Sequence, residues 1–333
     1  MNEIATLAID LAKNIFQRHG VDVRGVCVRR RQVRRAQLPG LSAQLPPCTV
    51  AMEACGGAHE WARRFQALGH RVRLMAPQFV KPFVKGNKTD RNDAEAIGEA
   101  AQRPGMRFVA LKSVEQQQVL ALHRLRSATL KARTALANQL RGVLAEFGCV
   151  MAPGLSHLRR QLPALLEDAD NGLPPLLREE LTVQAQRLRE MDTQVQRLGE
   201  CIAQQARADG RCRILMQRRG VGPLIASAFA AELGDPRAFK NARQVAAWLG
   251  LVPRQHSSGG KPILPGISKR GDAYLRTLLI HGARAVVRTA SRYDDPLSRW
   301  VRELALRRGV HKATLALANK MARQLWAQLA YGR

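Results

Sequence analysis

The chain has 333 residues, with 54 Lys and Arg against 26 Asp and Glu, for a formal net charge of +28. That length suits two or three domains, and the excess of positive charge indicates a polyanionic partner, most simply nucleic acid. A basic but generically soluble protein from a genome that favours Arg is the alternative. Because only 5% of the residues are aromatic, we expect phosphate contacts rather than base stacking to dominate binding.

The six cysteines form no C-x-x-C pair and have no His at zinc spacing, so we predict reduced, buried thiols in a cytosolic protein. The N-terminus carries Glu3 and Asp10 where a signal peptide needs an apolar run, and no apolar stretch approaches about 20 residues. We therefore expect a soluble, cytoplasmic protein without a membrane partner.

Two short apolar runs in the first part of the chain each carry an acid. Residues 4–11 contain Asp10, residues 49–53 end on Glu53, and both runs are typical of buried strands. Burying even a neutral polar group without partners costs roughly 2–7 kcal/mol, so a lone carboxylate in such a strand needs a cation or donors. These two acids therefore indicate a functional site.

The elements around these strands follow a recognisable order. Residues 16–33 predict two more strands, residues 39–47 a linker with a short helical turn, residues 59–68 a helix, residues 70–75 a fifth strand, and residues 106–111 an edge strand. Three strands in sequence, followed by alternating strand and helix, is the order of a ribonuclease H-like fold. Such a fold brings strand one, the end of strand four and a late helix to one edge of the sheet.

Residues 88–97 predict the opening turns of that late helix. Asp90 and Asp93 lie three residues apart, so both carboxylates stand on one helix face, near enough to share a cation. Capping and the helix dipole favour the same pattern and explain it when the stretch is considered alone. With Asp10 and Glu53 added, however, four carboxylates from two strands and one helix predict a divalent-metal site.

From Ser113 the pattern becomes helical. We predict a long helix that ends at Phe147 before Gly148, a Pro- and Gly-rich loop over residues 153–175, and a second long helix over residues 176–208. Together they predict a coiled-coil hairpin, which either packs on its own chain or serves as a dimerisation arm. The second helix carries a heptad-like apolar seam of Leu177, Leu181, Leu188, Met191, Val195, Leu198 and Ile202.

Residues 214–226 predict a helix, a tight Gly-Val-Gly turn and a second helix. As in helix-hairpin-helix modules, Arg219, Gly220 and Gly222 would then contact a phosphate; a plain helix-helix turn is the alternative. Further helices are predicted over residues 241–249, 273–289 and 312–330.

A loop over residues 250–262 places Ser257 and Ser258 directly before two glycines. The glycines would let a phosphate approach closely, and flanking basic residues would surround a serine hydroxyl with positive charge. An ordinary Ser/Gly surface turn is the alternative. The predicted phosphate contacts around this loop are Arg254, His256, Lys261, Lys269 and Arg270.

Taken together, these motifs resemble a known family over nearly the whole chain. Ile-Asp-Leu-Ala-Lys-Asn at Asp10, Met-Glu-Ala-Cys-Gly-Gly at Glu53 and Lys-Thr-Asp-Arg-Asn-Asp-Ala at Asp90 and Asp93 look like the DEDD motifs of the Piv-like insertion-sequence transposases, the one-hundred-ten-type family. Residues 219–288, with Gly-Val-Gly-Pro, Trp-Leu-Gly-Leu-Val-Pro, Ser-Ser-Gly-Gly and Ile-Ser-Lys-Arg-Gly-Asp-Ala-Tyr-Leu-Arg, are similar to the family's C-terminal domain. Several motifs in the family's order make the resemblance specific.

The resemblance implies an α/β plus all-α protein. Its parts would be a RuvC-like, ribonuclease H-like metal-binding domain over residues 1–111, a coiled-coil helical hairpin over residues 112–208 and a mainly helical transposase domain with the serine loop over residues 209–333. It also implies an oligomer, a dimer or tetramer, in which the metal site of one subunit meets the serine of another. A non-coding bridge RNA that pairs with donor and target DNA is implied as well.

The activity implied is Mg²⁺-dependent DNA strand cleavage and exchange. Asp10, Glu53, Asp90 and Asp93 would hold Mg²⁺, and Ser258, at the Ser-Gly position of the family motif, would be the nucleophile. A recombinase must conserve the free energy of the phosphodiester bond, which hydrolysis would release. A serine ester conserves it by holding the broken DNA end covalently, and this would be the role of the serine. Two other functions are open: a RuvC-like structure-selective DNA nuclease without a covalent intermediate, and a non-catalytic nucleic-acid-binding protein.

Overall fold

A computed structural model describes residues 3–87 and 89–332, apart from the side chains of Ser258 and Pro262. The chain divides into two compact units, one ending at Ser113 and the other beginning at Val114. The second unit contains both the long helices and the helices that follow them. The predicted boundary between two domains at residue 208 therefore stays a prediction.

The first unit is built on a six-stranded sheet with the order β3-β2-β1-β4-β5-β6. β1 pairs antiparallel with β2 and parallel with β4, and β4 pairs parallel with β5. This sheet and the helices confirm the mixed α/β plus helical composition that the sequence predicts, while the RuvC-like assignment stays a prediction. The strands are β1 (Thr6–Asp10), β2 (Ile15–Val21), β3 (Cys27–Arg34), β4 (Thr49–Glu53), β5 (Arg71–Met75) and β6 (Phe108–Val109).

Helices cover both faces of the sheet because β1 and β4 alternate large and small apolar residues. Leu7 and Ile9 join the core that contains Trp61 of α2. Ala8 on the other face joins the core that contains Ile97 of α4, where the small alanine allows a close approach. The helices of this unit are α1 (Leu38–Ala43), α2 (Ala58–Ala67), α3 (Pro77–Val80) and α4 (Asp90–Ala101).

The second unit is helical except for one short hairpin. Helices α8 to α11 and α13 share one core, which includes Phe229, Leu279 and Trp326. The elements are α5 (Val114–Glu146), α6 (Leu155–Glu167), α7 (Pro175–Ala208), α8 (Gly210–Met216), α9 (Pro223–Leu233), α10 (Ala242–Trp248), β7 (His256–Ser258), β8 (Lys261–Ile263), α11 (Ala273–Thr289), α12 (Pro296–Arg308) and α13 (Val310–Tyr331).

The predicted loop over residues 153–175 is wrong, because its middle forms α6. Leu158 and Leu162 recur at helical spacing and are buried in the core formed with α5 and α7. This burial outweighs Pro163, which lies inside the helix. Helix α12, which begins after an Asp295 cap with Pro296 at its first position, has no counterpart among the predicted elements.

The apolar seam of α7 is covered within this chain. Leu188 is 3% exposed and Val195 is 8% exposed, and α7 packs along α5. The hairpin therefore packs on its own chain along this seam, and its role as a dimerisation arm stays a prediction. A dimer formed through these same side chains would require α5 to leave them.

The six cysteines are unbridged, but only part of the prediction about them is correct. Cys48 and Cys212 are buried, whereas Cys27 and Cys55 are exposed, so the expectation of six buried thiols is wrong. Within residues 3–87 and 89–332, no helix combines the length and apolar character needed to cross a bilayer.

Candidate catalytic sites and family membership

Asp10 and Glu53 are the last residues of two neighbouring parallel strands, β1 and β4. Ile9 pairs with Met52, one residue before each acid, and both acids are half-buried. Although Cys55 is exposed as a whole residue, its thiol is partly desolvated; this desolvation first, and then the charges of Glu53 and Asp10, raise the pKa of the thiol. The three side chains therefore share one neighbourhood at the carboxyl edge of the sheet.

The direction of α4 is fixed by contacts near its C-terminal end. A Cβ placed on Gly25, in the turn between β2 and β3, would lie 2.8 Å from the side chain of Gln102, which follows α4. That turn lies beside the start of β1, since Thr6 pairs with Val21. Helix α4 consequently runs antiparallel to β1, and its first turn points toward the edge where Asp10 lies.

The first turn of α4 carries the other two predicted ligands. Asp93 is half-buried and Asp90 is exposed. Thr89 caps the helix, its Oγ1 accepting a hydrogen bond from the amide of Asn92 at 3.3 Å, so the helix dipole also accounts for both acids. The adjacent Lys88 lies outside the described residues.

The fold brings Asp10 and Glu53 together and orients the helix of Asp90 and Asp93 toward them. Within the part of the chain that the structure describes, however, no group of three or more His, Cys, Asp or Glu side chains is close enough to hold a metal ion. The four-carboxylate site therefore stays a prediction, supported by the placement of its backbone elements.

The predicted serine loop is a β-hairpin. Gly259 and Gly260 form its two-residue turn with φ of +56° and +76°, as a type I′ turn requires. The turn itself thus requires the two glycines, independently of any contact with a phosphate. An ordinary surface turn would account for the two glycines. It would not account for the residue types in the two flanking strands, β7 and β8.

The hairpin register separates the two serines. Ser258 pairs with Lys261, Ser257 with Pro262, and His256 with Ile263. Paired residues share a face and successive residues alternate, so position 258 shares its face with Lys261 and His256, and position 257 does not. Ser257 instead accepts a hydrogen bond from Gln255 Nε2 at 3.0 Å. The side chain of Ser258 lies outside the described residues.

The hairpin projects from a base formed by residues 248–254 and 266–272, two segments that backbone hydrogen bonds join. The amide of Ser268 donates to Val252 O at 2.8 Å, and the amide of Arg254 donates to Gly266 O at 2.9 Å. Gly271 has φ +79°, and a Cβ there would lie 1.9 Å from Trp248 O. Only glycine allows the two segments to approach this closely.

A buried arginine connects the two segments of this base to α11. Arg276 of α11 donates through Nη1 to Leu249 O and Arg270 O, at 3.0 Å each. These bonds join both segments to α11, which holds the hairpin against the core. The sequence contained a signal for this role: Arg276 lies between Leu275 and Leu279 on a helix whose apolar face is buried.

The predicted phosphate contacts divide into two groups. Arg219 is already engaged, because its Nη1 donates to Asp295 Oδ2 at 2.8 Å and its Nη2 donates to Ser298 Oγ at 2.6 Å. The hydrogen bond from the Ser298 hydroxyl, together with Arg219, holds the pKa of Asp295 well below its usual range. This internal network favours a structural role for Arg219 over a phosphate contact.

Gly220 likewise has a packing role. A Cβ at this position would lie 2.6 Å from Val286 Cγ2 and 2.9 Å from Gly282 O, so its absence lets the α8–α9 turn pack on α11. Gly222 is the N-cap of α9 and has open space beside it. The predicted order of helix, turn and helix is thus confirmed, while the helix-hairpin-helix assignment and its phosphate binding stay predictions. The second group is exposed around the hairpin and its base: Arg254, His256, Lys261, Lys269 and Arg270.

Comparison with known proteins identifies the family. Residues 7–148 match the DEDD transposase family of the IS110 type, and residues 212–297 match the transposase IS116/IS110/IS902 family. The chain is 52% identical to a probable family 20 transposase of Pseudomonas aeruginosa, covering 98% of this chain and 97% of the relative. It is 46% identical to the transposase for insertion sequence element IS1111A of Coxiella burnetii, covering 99% and 90%. The chain belongs to the IS110 family of insertion-sequence transposases.

Membership makes this transposase a DNA-cleaving and recombining enzyme whose DEDD-type domain indicates the use of a divalent metal. The transposase for insertion sequence element IS1328 of Yersinia enterocolitica is 40% identical over the whole chain and 98% of that relative. The two matched regions contain the two sites described above: the carboxyl edge of the sheet and the serine hairpin.

Proposed function

We propose that this transposase cuts and rejoins DNA through a covalent ester at Ser258, assisted by Mg²⁺ at Asp10, Glu53, Asp90 and Asp93. The observation that carries the proposal is the register of the exposed hairpin. In this register, position 258 lies on the same face as Lys261 and His256. A surface turn needs no such hydrogen-bonded base, whereas a nucleophile must be held within about half an ångström of its productive position.

The proposed step transfers a phosphodiester without hydrolysing it. The Ser258 oxygen attacks the scissile phosphorus, a new phosphorus–oxygen bond forms to serine, and the bond to the leaving nucleotide oxygen breaks. The serine proton passes to a base, for which His256 is the candidate on the same hairpin face, and the leaving oxygen takes up a proton. Attack by a hydroxyl of another DNA end reverses the step and restores the diester. The exposed charge of Lys261 offsets that of the phosphate.

The carboxyl edge of the first unit fits the proposed metal. Asp10 and Glu53 converge beside Cys55 on adjacent strands, and carboxylate oxygens are the donors that Mg²⁺ prefers. Asp90 and Asp93 would complete the ligand set from the first turn of α4. When bound, the ion would neutralise the scissile phosphate and stabilise the leaving oxygen.

The proposed partners are donor DNA, target DNA and a bridge RNA. The net charge of +28 supports polyanionic partners, and the family resemblance is the ground for RNA guidance. We also propose a dimer or tetramer, and since α5 covers the α7 seam within this chain, contacts on other surfaces are the simpler route to it.

Matched serine variants test the nucleophile. Ser258→Ala should keep DNA and RNA binding but lose strand exchange and the protein–DNA adduct that survives denaturation. Ser257→Ala should keep the adduct, because position 257 lies on the opposite hairpin face. An adduct that persists in Ser258→Ala and disappears in Ser257→Ala would move the assignment by one residue. Mg²⁺-dependent cuts with free ends and no adduct in any variant would support the nuclease alternative instead.

A further inference from the structure

A groove in the helical part of the second unit carries uncompensated positive charge. It has a volume of about 530 Å³ and lies between α5, α6 and α7. A water molecule takes about 30 Å³, so the groove admits a much larger group. Three of its lining side chains are arginines, Arg126, Arg133 and Arg159, and the acidic side chain that lines it with them is Asp192.

The carboxylate of Asp192 satisfies only part of this arginine cluster. Arg133 Nη1 donates to Asp192 Oδ1 at 2.9 Å, and Arg159 Nη2 donates to the same oxygen. Within the described residues, the Nε atoms of Arg126 and Arg133 are buried and have no hydrogen-bond partner. In the same part of the chain, the Nε atoms of Arg18, Arg219 and Arg323 also lack partners, so the feature particular to the groove is its charge, three guanidinium groups against the one carboxylate that lines it.

Arg126 also acts on a histidine in the core beneath it. His123, one turn earlier on α5, is buried between Tyr274 and Ser227. Its pKa is lowered to about 4 by burial and by the charge of Arg126, so at neutral pH it is uncharged. His123 therefore adds no charge of its own beside Arg126 at neutral pH.

We propose that this groove binds a phosphate group of a nucleic-acid backbone through Arg126, Arg133 and Arg159. Guanidinium groups form paired hydrogen bonds to phosphate oxygens, and three of them line this groove against the carboxylate of Asp192. The groove would thus be a docking point for RNA or DNA on the helical hairpin. The inference depends neither on Ser258 nor on the carboxylates of the first unit.

Salt-dependent binding of full-length protein tests the groove. Fluorescently labelled single-stranded RNA and duplex DNA of matched length serve as probes, and the logarithm of Kd is measured against the logarithm of salt concentration. Arg126→Gln and Arg159→Gln should each weaken binding and lower the slope by about 0.7 for RNA or about 0.9 for DNA, as the loss of one phosphate contact predicts. The probe that responds identifies the bound nucleic acid, and a response by both shows a shared site.

Two matched variants separate an anion site from an internal salt-bridge network. Arg124→Gln removes the same charge from an exposed position on the opposite face of α5 and should leave the slope unchanged. Asp192→Asn removes the carboxylate that competes with the phosphate, so binding should be retained or tightened, whereas a network built around Asp192 would only lose stability. Since Arg159 is exposed, Arg159→Gln should fold even if Arg126→Gln does not. Slopes and affinities of the groove variants equal to those of Arg124→Gln, on both probes, would overturn the proposal.

Discussion

Hydrogen bonds of individual buried polar residues join helices within the second unit. Ser227 Oγ donates to Pro223 O at 2.6 Å, so its contact with His123 Nε2 at 2.9 Å must be an accepted hydrogen bond. His123 Nε2 therefore carries the hydrogen, and Nδ1 accepts one from the Tyr274 hydroxyl at 2.8 Å. A neutral histidine thus joins α5, α9 and α11.

We predict that this histidine makes folding stability pH-dependent. The pKa of His123 is about 4 in the folded protein against 6.5 when unfolded, so the unfolded state binds the proton first. Stability from His123 is complete above pH 6.5 and is lost as the pH falls toward 4, by up to about 3 kcal/mol. Urea unfolding at intervals across this range should show the decline, and His123→Gln should flatten it by one proton. An unchanged slope in the variant would contradict the assignment.

A second residue-scale prediction concerns Asp10. Because Asp10 and Glu53 are neighbouring carboxylates, Asp10→Asn should leave the melting temperature without metal unchanged or raised, since like charges repel. Mg²⁺ should stabilise the wild type and have a smaller effect on the variant. Thermal unfolding with and without Mg²⁺ measures both effects without requiring activity. Equal stabilisation of the two proteins by Mg²⁺ would show that Asp10 is not a ligand.

At the scale of elements, the serine hairpin depends on its base. We predict that Gly271→Ala destabilises the protein by several kcal/mol, because the new Cβ would lie 1.9 Å from Trp248 O and φ +79° alone costs about 1–2 kcal/mol for alanine. Gly266→Ala is the matched control, since a Cβ there meets nothing within 4 Å. Urea unfolding and strand exchange should separate the two variants. Equal stabilities would mean that the base is looser than described.

The helical hairpin gives a second prediction at this scale. Leu188→Ala should cost about 2–5 kcal/mol of folding stability, because Leu188 is buried in the chain's own core. Val183→Ala on the same helix should have little effect, since Val183 is 58% exposed. Urea unfolding and size-exclusion chromatography distinguish this from a dimer seam. A stable Leu188→Ala protein that dissociates into subunits would restore the dimerisation arm.

The elements also show what the sequence can and cannot predict. The strands of Asp10 and Glu53 were predictable because each is a continuous apolar run of strand length, as a strand buried on both faces requires. The partner of the α7 seam was not, since a heptad repeat looks the same whether its partner lies in the same chain or in another. β7 and β8 have three residues each, too few to show alternation, and Gly259–Gly260 therefore suggested only a turn. Arg276 was missed although it lies next to Leu275 on the apolar face of α11, because an arginine at such a position is usually expected to extend toward solvent.

At the scale of the whole molecule, positive charge is spread over both units, and the two proposed chemistries lie in different ones. The metal ligands belong to the sheet of the first unit, and Ser258 belongs to the hairpin of the second. Phosphate activation and covalent attachment would therefore belong to two different units of the chain. The attachment of DNA to one particular serine, Ser258, is the central claim.

Mass spectrometry of the trapped intermediate tests that claim most directly. The transposase is incubated with its DNA substrate, denatured, and digested with nuclease and protease, and the peptide that carries a nucleotide is sequenced. We predict a phosphodiester-linked nucleotide on Ser258 in the wild type, with Ser257 unmodified and no linked peptide from Ser258→Ala. A nucleotide attached to any other residue, or cleaved DNA that never carries protein, would contradict the account.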